Sequence, residues 1–99
     1  MSAPLFPLGH VVATPGAMEA ASGPLHFLAL LARHVRGDWG CVGPEDAETN
    51  RLAVTEGDRI LSAYPIDPER SFAGFGKNCL WIITKADRPV TTILLPEEY

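Results

Sequence analysis

The sequence predicts an α+β domain in which two to three N-terminal helices pack on one face of a small antiparallel sheet. Residues 15–57 carry helix signals, with proline at helix starts and glycine at helix ends. From residue 58 onward, apolar and polar residues alternate with the period of two that is typical of strands. Helices followed by a run of strands favour an α+β class over alternating βαβ units. A chain of 99 residues has room for one hydrophobic core, so we expect a single domain over residues 1–99.

The first expected element is a short N-terminal strand around Val11 and Val12. This β-branched pair lies between Pro7 and Pro15, which favours an extended segment with defined ends. Thr14 is then placed to cap a short helix over residues 15–22, with Pro15 in its first turn. We expect this strand to add to the sheet formed further along the chain.

Residues 24–37, PLHFLALLARHVRG, carry the strongest helix signal. Gly37 follows the last periodic residue, where glycine commonly ends a helix. Large apolar residues recur at helical spacing, and this stripe is expected to face the core: Leu25, Leu28, Leu31 and Val35.

A third helix is predicted over residues 44–57. Pro44 opens it, Glu45 and Asp46 lie in its first turn, and Gly57 ends it. Its apolar stripe is thin, so we expect a surface helix with much of its circumference in solvent.

Three strands are predicted in the second half, over residues 59–64, 79–84 and 90–95. The last two are joined by KADRP, a link short enough only for a hairpin, so that pair is antiparallel. A long Pro- and Gly-rich loop over residues 65–78 separates the first two and carries Phe72 and Phe75. Such a loop either folds over the core or serves as a binding loop.

Composition excludes several classes of function. The formal net charge is −4, which disfavours non-specific nucleic-acid binding, although a local basic cluster remains at residues 33–36. No stretch approaches the roughly 20 apolar residues that a membrane span needs, so we expect a cytoplasmic protein with no membrane contact. No dinucleotide or P-loop glycine pattern is present, and the two cysteines form no metal-ligand set. We therefore expect no cofactor and no metal.

One hypothesis is catalytic. A metal-independent nuclease needs a general acid or base, cations on the scissile phosphate and hydroxyl groups on a sheet. A helix ending in RHV followed by strands ending in TTILLP resembles small nucleases of the barnase, EndoU and RelE type, which implies an endoribonuclease with His34 as general acid or base. On this hypothesis His34→Ala abolishes activity and leaves the thermal midpoint nearly unchanged. The candidate catalytic residues are His34, Arg36, Tyr64, Arg88 and Thr91.

Helix termination explains the same basic cluster without catalysis. Arg33, His34 and Arg36 fall in the last turn of the predicted helix, where positive charge is favoured by the helix dipole. Hydroxyl residues on a half-exposed strand are also what β-propensity alone predicts. Asp38 and Trp39 are not explained by termination, and we expect Trp39 to close one end of the core.

Three stretches, RHVRGDWG, GDRILSAY and LWIITKADRPVTTILLPEEY, resemble a family of short bacterial proteins that are often encoded on plasmids and other mobile elements. They lie between Arg33 and Tyr99, about two-thirds of the chain. The family has no established activity, so the resemblance implies an accessory role and no mechanism. The chain departs from the family form around residues 71–78 and at Lys85 and Pro89.

The second hypothesis is a non-catalytic interaction protein. A small domain with an uncovered edge strand has reason to pair, so we expect a protein partner or a homodimer, formed through the sheet edge or the loop over residues 65–78. Aromatic and arginine side chains are the usual anchors of such interfaces. The candidate binding residues are Arg33, Trp39, Phe72, Phe75 and Trp81.

Overall fold

A computed structural model describes residues 3–99. Its helices are α1 (Pro15–Ala20), α2 (Pro24–Val35) and α3 (Pro44–Glu56), and a 3-10 turn, Pro96–Glu98, lies near the C-terminus. Its strands are β1 (His10–Ala13), β2 (Ile60–Tyr64), β3 (Leu80–Thr84) and β4 (Val90–Leu94). The α+β class predicted from the sequence is confirmed, with the helices N-terminal to three of the four strands.

The four strands form one sheet in the order β1-β4-β3-β2. The meander β2-β3-β4 is antiparallel as predicted, whereas β1 pairs with β4 in parallel, with Val11 opposite Thr91. The sheet is therefore mixed and not purely antiparallel. A parallel neighbour needs a long connection, and here the three helices and two strands between β1 and β4 provide it.

Helix ends follow the capping residues that the sequence supplies. The Thr14 hydroxyl accepts a hydrogen bond from the Ala17 amide at 3.2 Å, and Pro15 is the first residue of α1. Gly57 ends α3 in the left-handed conformation at φ 80°, which glycine adopts without steric cost. These predicted caps are confirmed.

The core lies between the helices and one face of the sheet. On that face, large side chains from all three strands of the meander are completely buried, among them Ile60, Tyr64, Leu80 and Ile82. Leu30 and Leu31 of helix α2 pack with Tyr64, Leu80 and Ile82 in one core cluster. A second cluster forms around Phe6, Ala53 and Ile60.

The orientation of α2 differs from the sequence prediction. Leu25 and Leu28, expected in the core, are 79% and 60% exposed, and the buried ridge is Leu30, Leu31 and His34. The reason is that α2 is apolar on more than one face, so periodicity alone does not say which face is buried. The buried side of α2 is the side that carries His34, and it is rotated about the helix axis from the predicted stripe.

The β2 edge of the sheet is closed by side-chain and backbone hydrogen bonds. The Asn50 amide donates to the Leu61 carbonyl at 2.7 Å and accepts from the Leu61 amide at 3.1 Å. The Cys41 amide donates to the Ala63 carbonyl at 2.8 Å, and the Ala63 amide donates to the Trp39 carbonyl at 3.0 Å. Because these groups use the outward-facing backbone of β2, no further strand can pair there.

Candidate functional site

His34 lies at the centre of a buried polar network between α2 and the sheet. Its side chain is 0% exposed. Nδ1 lies 2.5 Å from the Ser62 hydroxyl on β2, and Nε2 lies 2.8 Å from the Thr84 hydroxyl on β3. Thr84 in turn lies 2.8 Å from the Thr91 hydroxyl on β4. One histidine therefore connects α2 to three strands.

The donor and acceptor of each hydrogen bond in this network can be assigned, starting from Thr91. The Thr91 hydroxyl donates to the Leu8 carbonyl at 2.7 Å, so the proton between Thr84 and Thr91 comes from Thr84. Thr84 must then accept from Nε2 of His34, so Nε2 carries a proton. In the neutral ring this is the Nε2–H tautomer, and Nδ1 accepts from Ser62.

Burial lowers the pKa of His34 from 6.5 to about 4, and the nearby positive charge of Arg88 acts in the same direction. The ring also packs edge-on against Phe6, with ring centroids 5.2 Å apart, and against Trp39 at 6.0 Å. In this conformation His34 is neutral at pH 7 and has no access to a solvent-borne phosphate. Through these contacts His34 holds helix α2 against the sheet.

Arg88 donates hydrogen bonds from its guanidinium to two backbone carbonyls at the C-terminal end of α3. Its two terminal nitrogens donate to the Asp58 carbonyl at 2.5 Å and the Ala53 carbonyl at 2.7 Å, and its guanidinium lies 5.3 Å from the centroid of Phe6. The Ala53 carbonyl also accepts from the Gly57 amide at 2.9 Å, and the C-terminal end of a helix favours a cation. The guanidinium thus caps α3 and ties it to the β3-β4 hairpin.

Arg88→Gln is expected to lower the free energy of unfolding by about 1 to 2 kcal/mol, because two charge-assisted hydrogen bonds to carbonyls are lost. The matched control is Arg36→Gln. Arg36 is an exposed arginine whose Nε donates to Ala32 of its own helix at 3.0 Å. This control is expected to change stability by no more than about 0.5 kcal/mol. Urea unfolding of the two variants checks the difference, and equal stabilities would contradict the capping role of Arg88.

Arg33, Asp38 and Tyr64 lock the segment that follows α2. Arg33 Nε donates to the Asp38 carboxylate at 2.7 Å, and this hydrogen bond lowers the pKa of Asp38. The Tyr64 hydroxyl donates to the Asp38 carbonyl at 2.6 Å, and burial raises the pKa of Tyr64 to about 12. The Arg33 guanidinium lies 4.6 Å from the centroid of the Tyr64 ring. Asp38, which helix termination left unexplained, accepts these two hydrogen bonds through its carboxylate and its backbone carbonyl.

Arg36 and Trp39 follow α2, and their side chains make no hydrogen bond to the buried network. They line a groove of about 760 Å³ between the end of α2 and α3. Trp39 is half-buried and stacks on Phe6, with ring centroids 6.3 Å apart. It therefore closes one end of the second core cluster, as expected from the sequence.

The loop over residues 65–78 is built around the buried Asn78. The Asn78 amide nitrogen donates to the carbonyls of Asp67, Arg70 and Ser71, and its oxygen accepts from the Asp67 amide at 2.8 Å. Trp81 on β3 donates from Nε1 to the Gly74 carbonyl at 2.7 Å.

Phe72 and Phe75 are both exposed on this loop. Phe75 lines a pocket of about 310 Å³ that includes Cys41 and Trp81. A role in binding for Phe72, Phe75 and Trp81 stays a prediction. The loop is ordered by its own hydrogen bonds.

A surface that the sequence did not predict lies where β1 meets α2. Val11 and Val12 on β1 are 45% and 47% exposed, and Leu25 and Leu28 on α2 are more so. Between the two elements runs a groove of about 640 Å³ lined by apolar side chains, among them Leu8, Ala13, Phe27, Leu28 and Leu31. We call this surface the β1–α2 face: the exposed edge of β1, the exposed Leu25 and Leu28 on α2, and the groove between the two elements. Val11 points to the helix side of the sheet and Val12 to the opposite side, because successive side chains of a strand alternate.

The β1–α2 face is also the part of the molecule with the least charge. Of the 8 Lys and Arg and 12 Asp and Glu residues, only Glu19 precedes Arg33. The absence of charge from residues 20–32, which include most of helix α2, is the sequence signal that could have identified this surface. A helix with one core face and one solvent face normally carries charges on the second.

Within residues 3–99, no three histidine, cysteine, aspartate or glutamate side chains cluster as a metal site would require. None of the helices in this range is both long and apolar enough to cross a membrane. Comparison with protein-family models, curated proteins and solved structures finds no match for this chain.

Proposed function

We propose that this chain is a non-catalytic interaction protein that binds a protein partner through the β1–α2 face. The observation that carries the proposal is an apolar, nearly charge-free surface that spans both layers of a small domain. Exposed large apolar side chains are ordinary when scattered, whereas a continuous patch marks an interaction site.

The geometry of β1 supports the same proposal. The backbone groups on one side of β1 pair with β4. Among the described residues, the backbone groups on the other side of β1 make no hydrogen bond. Edge strands that do not pair are usually protected by charged residues, proline or a bulge within the strand. Residues 10–13, HVVA, contain none of these, and the short length of β1, four residues, is its only protection of this kind.

The loop over residues 65–78 is a weaker candidate for the main interface. Phe72 and Phe75 stand among Glu69, Arg70 and Lys77, so that surface is mixed in charge. Interface centres are depleted in glutamate and lysine. The β1–α2 face is larger and more uniform, which favours it over the loop.

The nuclease hypothesis has no specific support in the contacts of its candidate residues. His34, Tyr64, Arg88 and Thr91 make hydrogen bonds inside the protein, and only Arg36 projects from the surface. The association with mobile elements rests on the sequence resemblance alone. Both stay predictions beside the interaction function.

Leu28→Glu is expected to reduce partner binding at least tenfold, because it buries a carboxylate in an apolar interface. The measurement is affinity capture with the tagged chain from a bacterial lysate, quantified by mass spectrometry against the wild type. A second, untagged copy of the chain is included among the possible captured proteins.

The matched control is Leu52→Glu on α3. Leu52 is 50% exposed and lies outside the β1–α2 face, so this variant makes the same chemical change elsewhere. It is expected to retain wild-type binding. If both variants capture the same proteins in equal amounts, the β1–α2 face is not the binding surface.

A further inference from the structure

We propose that the partner for the β1–α2 face is a second copy of this chain, paired through antiparallel β1 strands about a two-fold axis at Val12. This inference rests on the proposed function and specifies its partner. The result would be one continuous eight-stranded sheet with the helices of both copies on the same face.

The backbone of β1 fixes which groups face the second copy. The His10 amide donates to the Pro89 carbonyl at 3.1 Å, and the Thr14 amide donates to the Ile93 carbonyl at 3.0 Å. Backbone groups of alternate residues in a strand point the same way. Residues 10, 12 and 14 therefore face β4, and the backbone groups of Val11 and Ala13 face outward.

Those outward groups define one pairing register. In an antiparallel pair, residues whose backbone groups face each other exchange two hydrogen bonds. Val11 of one copy then pairs with Ala13 of the second copy, and Ala13 pairs with Val11. Val12 meets its own equivalent on the axis as a non-hydrogen-bonded pair, with side chains on the sheet face opposite the helices.

Helix α2 makes a second copy a better fit than an isolated peptide strand. A stable interface buries on the order of 800 Å² on each partner, and a four-residue strand supplies only part of that area. The remainder is available in Leu25 and Leu28 on the helix layer. A single added strand covers β1 and leaves the outer side of α2 in water, whereas a copy brings its own α2 to cover it.

The surrounding charge and the second sheet edge also favour a closed dimer. The face has no lysine, arginine, aspartate or glutamate on β1 or before Arg33 on α2, so two copies meet without like-charge repulsion. Because the β2 edge is occupied by Asn50 and residues 39–41, pairing through β1 uses the only strand edge left open in residues 3–99. An isologous contact of this kind stops at two copies.

Light scattering coupled to size exclusion is expected to give twice the chain mass of 10.7 kDa for the wild type at micromolar concentration. Val11→Pro is expected to shift the mass to that of one chain, because it removes an outward amide that β4 does not use. Circular dichroism and the thermal midpoint establish that Val11→Pro is folded. A wild type that stays at one chain mass at all accessible concentrations overturns the inference.

Disulfide trapping tests the register without weakening the fold. Val12→Cys in a Cys41→Ser background is expected to form a disulfide-linked dimer under mild oxidation at least tenfold faster than Val11→Cys in the same background. The two valines are almost equally exposed. Only residue 12 meets its own equivalent at a Cα separation of about 4.5 Å, within the range a disulfide requires, whereas residue 11 meets its own only diagonally.

The outcomes separate this inference from the function on which it rests. Selective trapping of Val12→Cys supports the two-fold at Val12. Equal or faster trapping of Val11→Cys, or no trapping of either, overturns it. If trapping fails while Leu28→Glu still abolishes capture of another protein, the β1–α2 face binds a different partner and only the dimer is wrong. If Leu28→Glu has no effect as well, both proposals are wrong.

Discussion

Replacing His34 with alanine is expected to lower the free energy of unfolding by about 3 to 5 kcal/mol. The substitution removes a completely buried ring and leaves a cavity that α2 and the sheet can only partly close. It also leaves the Ser62 hydroxyl without its acceptor, 2.5 Å away in the wild type. Buried donors that lose their partner carry a full desolvation penalty, which adds to the cost of the cavity.

A catalytic His34 predicts the opposite result, namely lost activity with a nearly unchanged thermal midpoint. Urea unfolding at neutral pH distinguishes the two hypotheses directly. The matched control is His26→Ala on the same helix. His26 is half-buried and its ring nitrogen accepts one hydrogen bond, from the Ser22 amide at 3.1 Å. This control is expected to cost no more than about 1 kcal/mol.

A double variant tests the mechanism of the loss. His34→Leu fills most of the ring volume, and Ser62→Ala removes the hydroxyl that would otherwise lack an acceptor. Thr84 keeps its hydrogen bond to Thr91, 2.8 Å away. Replacing both partners of a buried hydrogen bond with apolar groups is often nearly neutral, so the double variant should recover more than half of the stability lost in His34→Ala. No recovery would show that the network itself, and not cavity and desolvation, sets the stability.

Local sequence signals were sufficient for the secondary structure. Thr14 with Pro15, and Gly57, mark helix ends through backbone chemistry that acts within a few residues. The alternation of apolar residues in β2 and β3 reports a sheet buried on one face. Both kinds of signal depend on near neighbours in the chain, and this is why they can be interpreted without the fold.

The arrangement of the polar residues could not be predicted in the same way. Ser62, Thr84 and Thr91 suggest a polar sheet face, yet they lie on the buried face, where His34 satisfies them. Their partner comes from a different element, 28 and 50 residues away in sequence for Ser62 and Thr84. The pattern gives the spacing of the hydroxyl groups but not the identity of what lies opposite them.

The same limit applies to the edges of the sheet. Asn50 closes β2 by pairing with both backbone groups of Leu61, a role that no local pattern of α3 indicates. The β1–α2 face had a signal, the absence of charge from residues 20–32, but Leu25 and Leu28 were assigned to the core because helical periodicity does not define the direction of burial. The structure shows that Leu25 and Leu28 are exposed because α2 is oriented with His34 on its buried side.

Between pH 6.5 and pH 4, acid is expected to destabilise the fold through His34. Burial lowers the pKa of His34 in the folded protein to about 4, against 6.5 for an exposed histidine. Between those two values the unfolded chain binds a proton that the folded protein does not, so stability falls as the pH falls. The stability that the neutral, buried His34 contributes is complete above pH 6.5 and declines by about 1.4 kcal/mol per pH unit at its steepest. The loss amounts to about 3 kcal/mol by pH 4.

The variant His34→Leu/Ser62→Ala provides the reference for this measurement, because it keeps the other histidines and all carboxylates while removing the one buried imidazole. Urea unfolding of both proteins from pH 7.5 to pH 4.5, at one protein concentration, gives the stability difference as a function of pH. This difference is expected to shrink steadily below pH 6.5, since protonation of Nδ1 displaces the Ser62 hydrogen bond and places a charge near Arg88. Parallel pH profiles would mean that solvent reaches the ring in the folded state, and a His34 accessible to solvent is what the nuclease hypothesis requires.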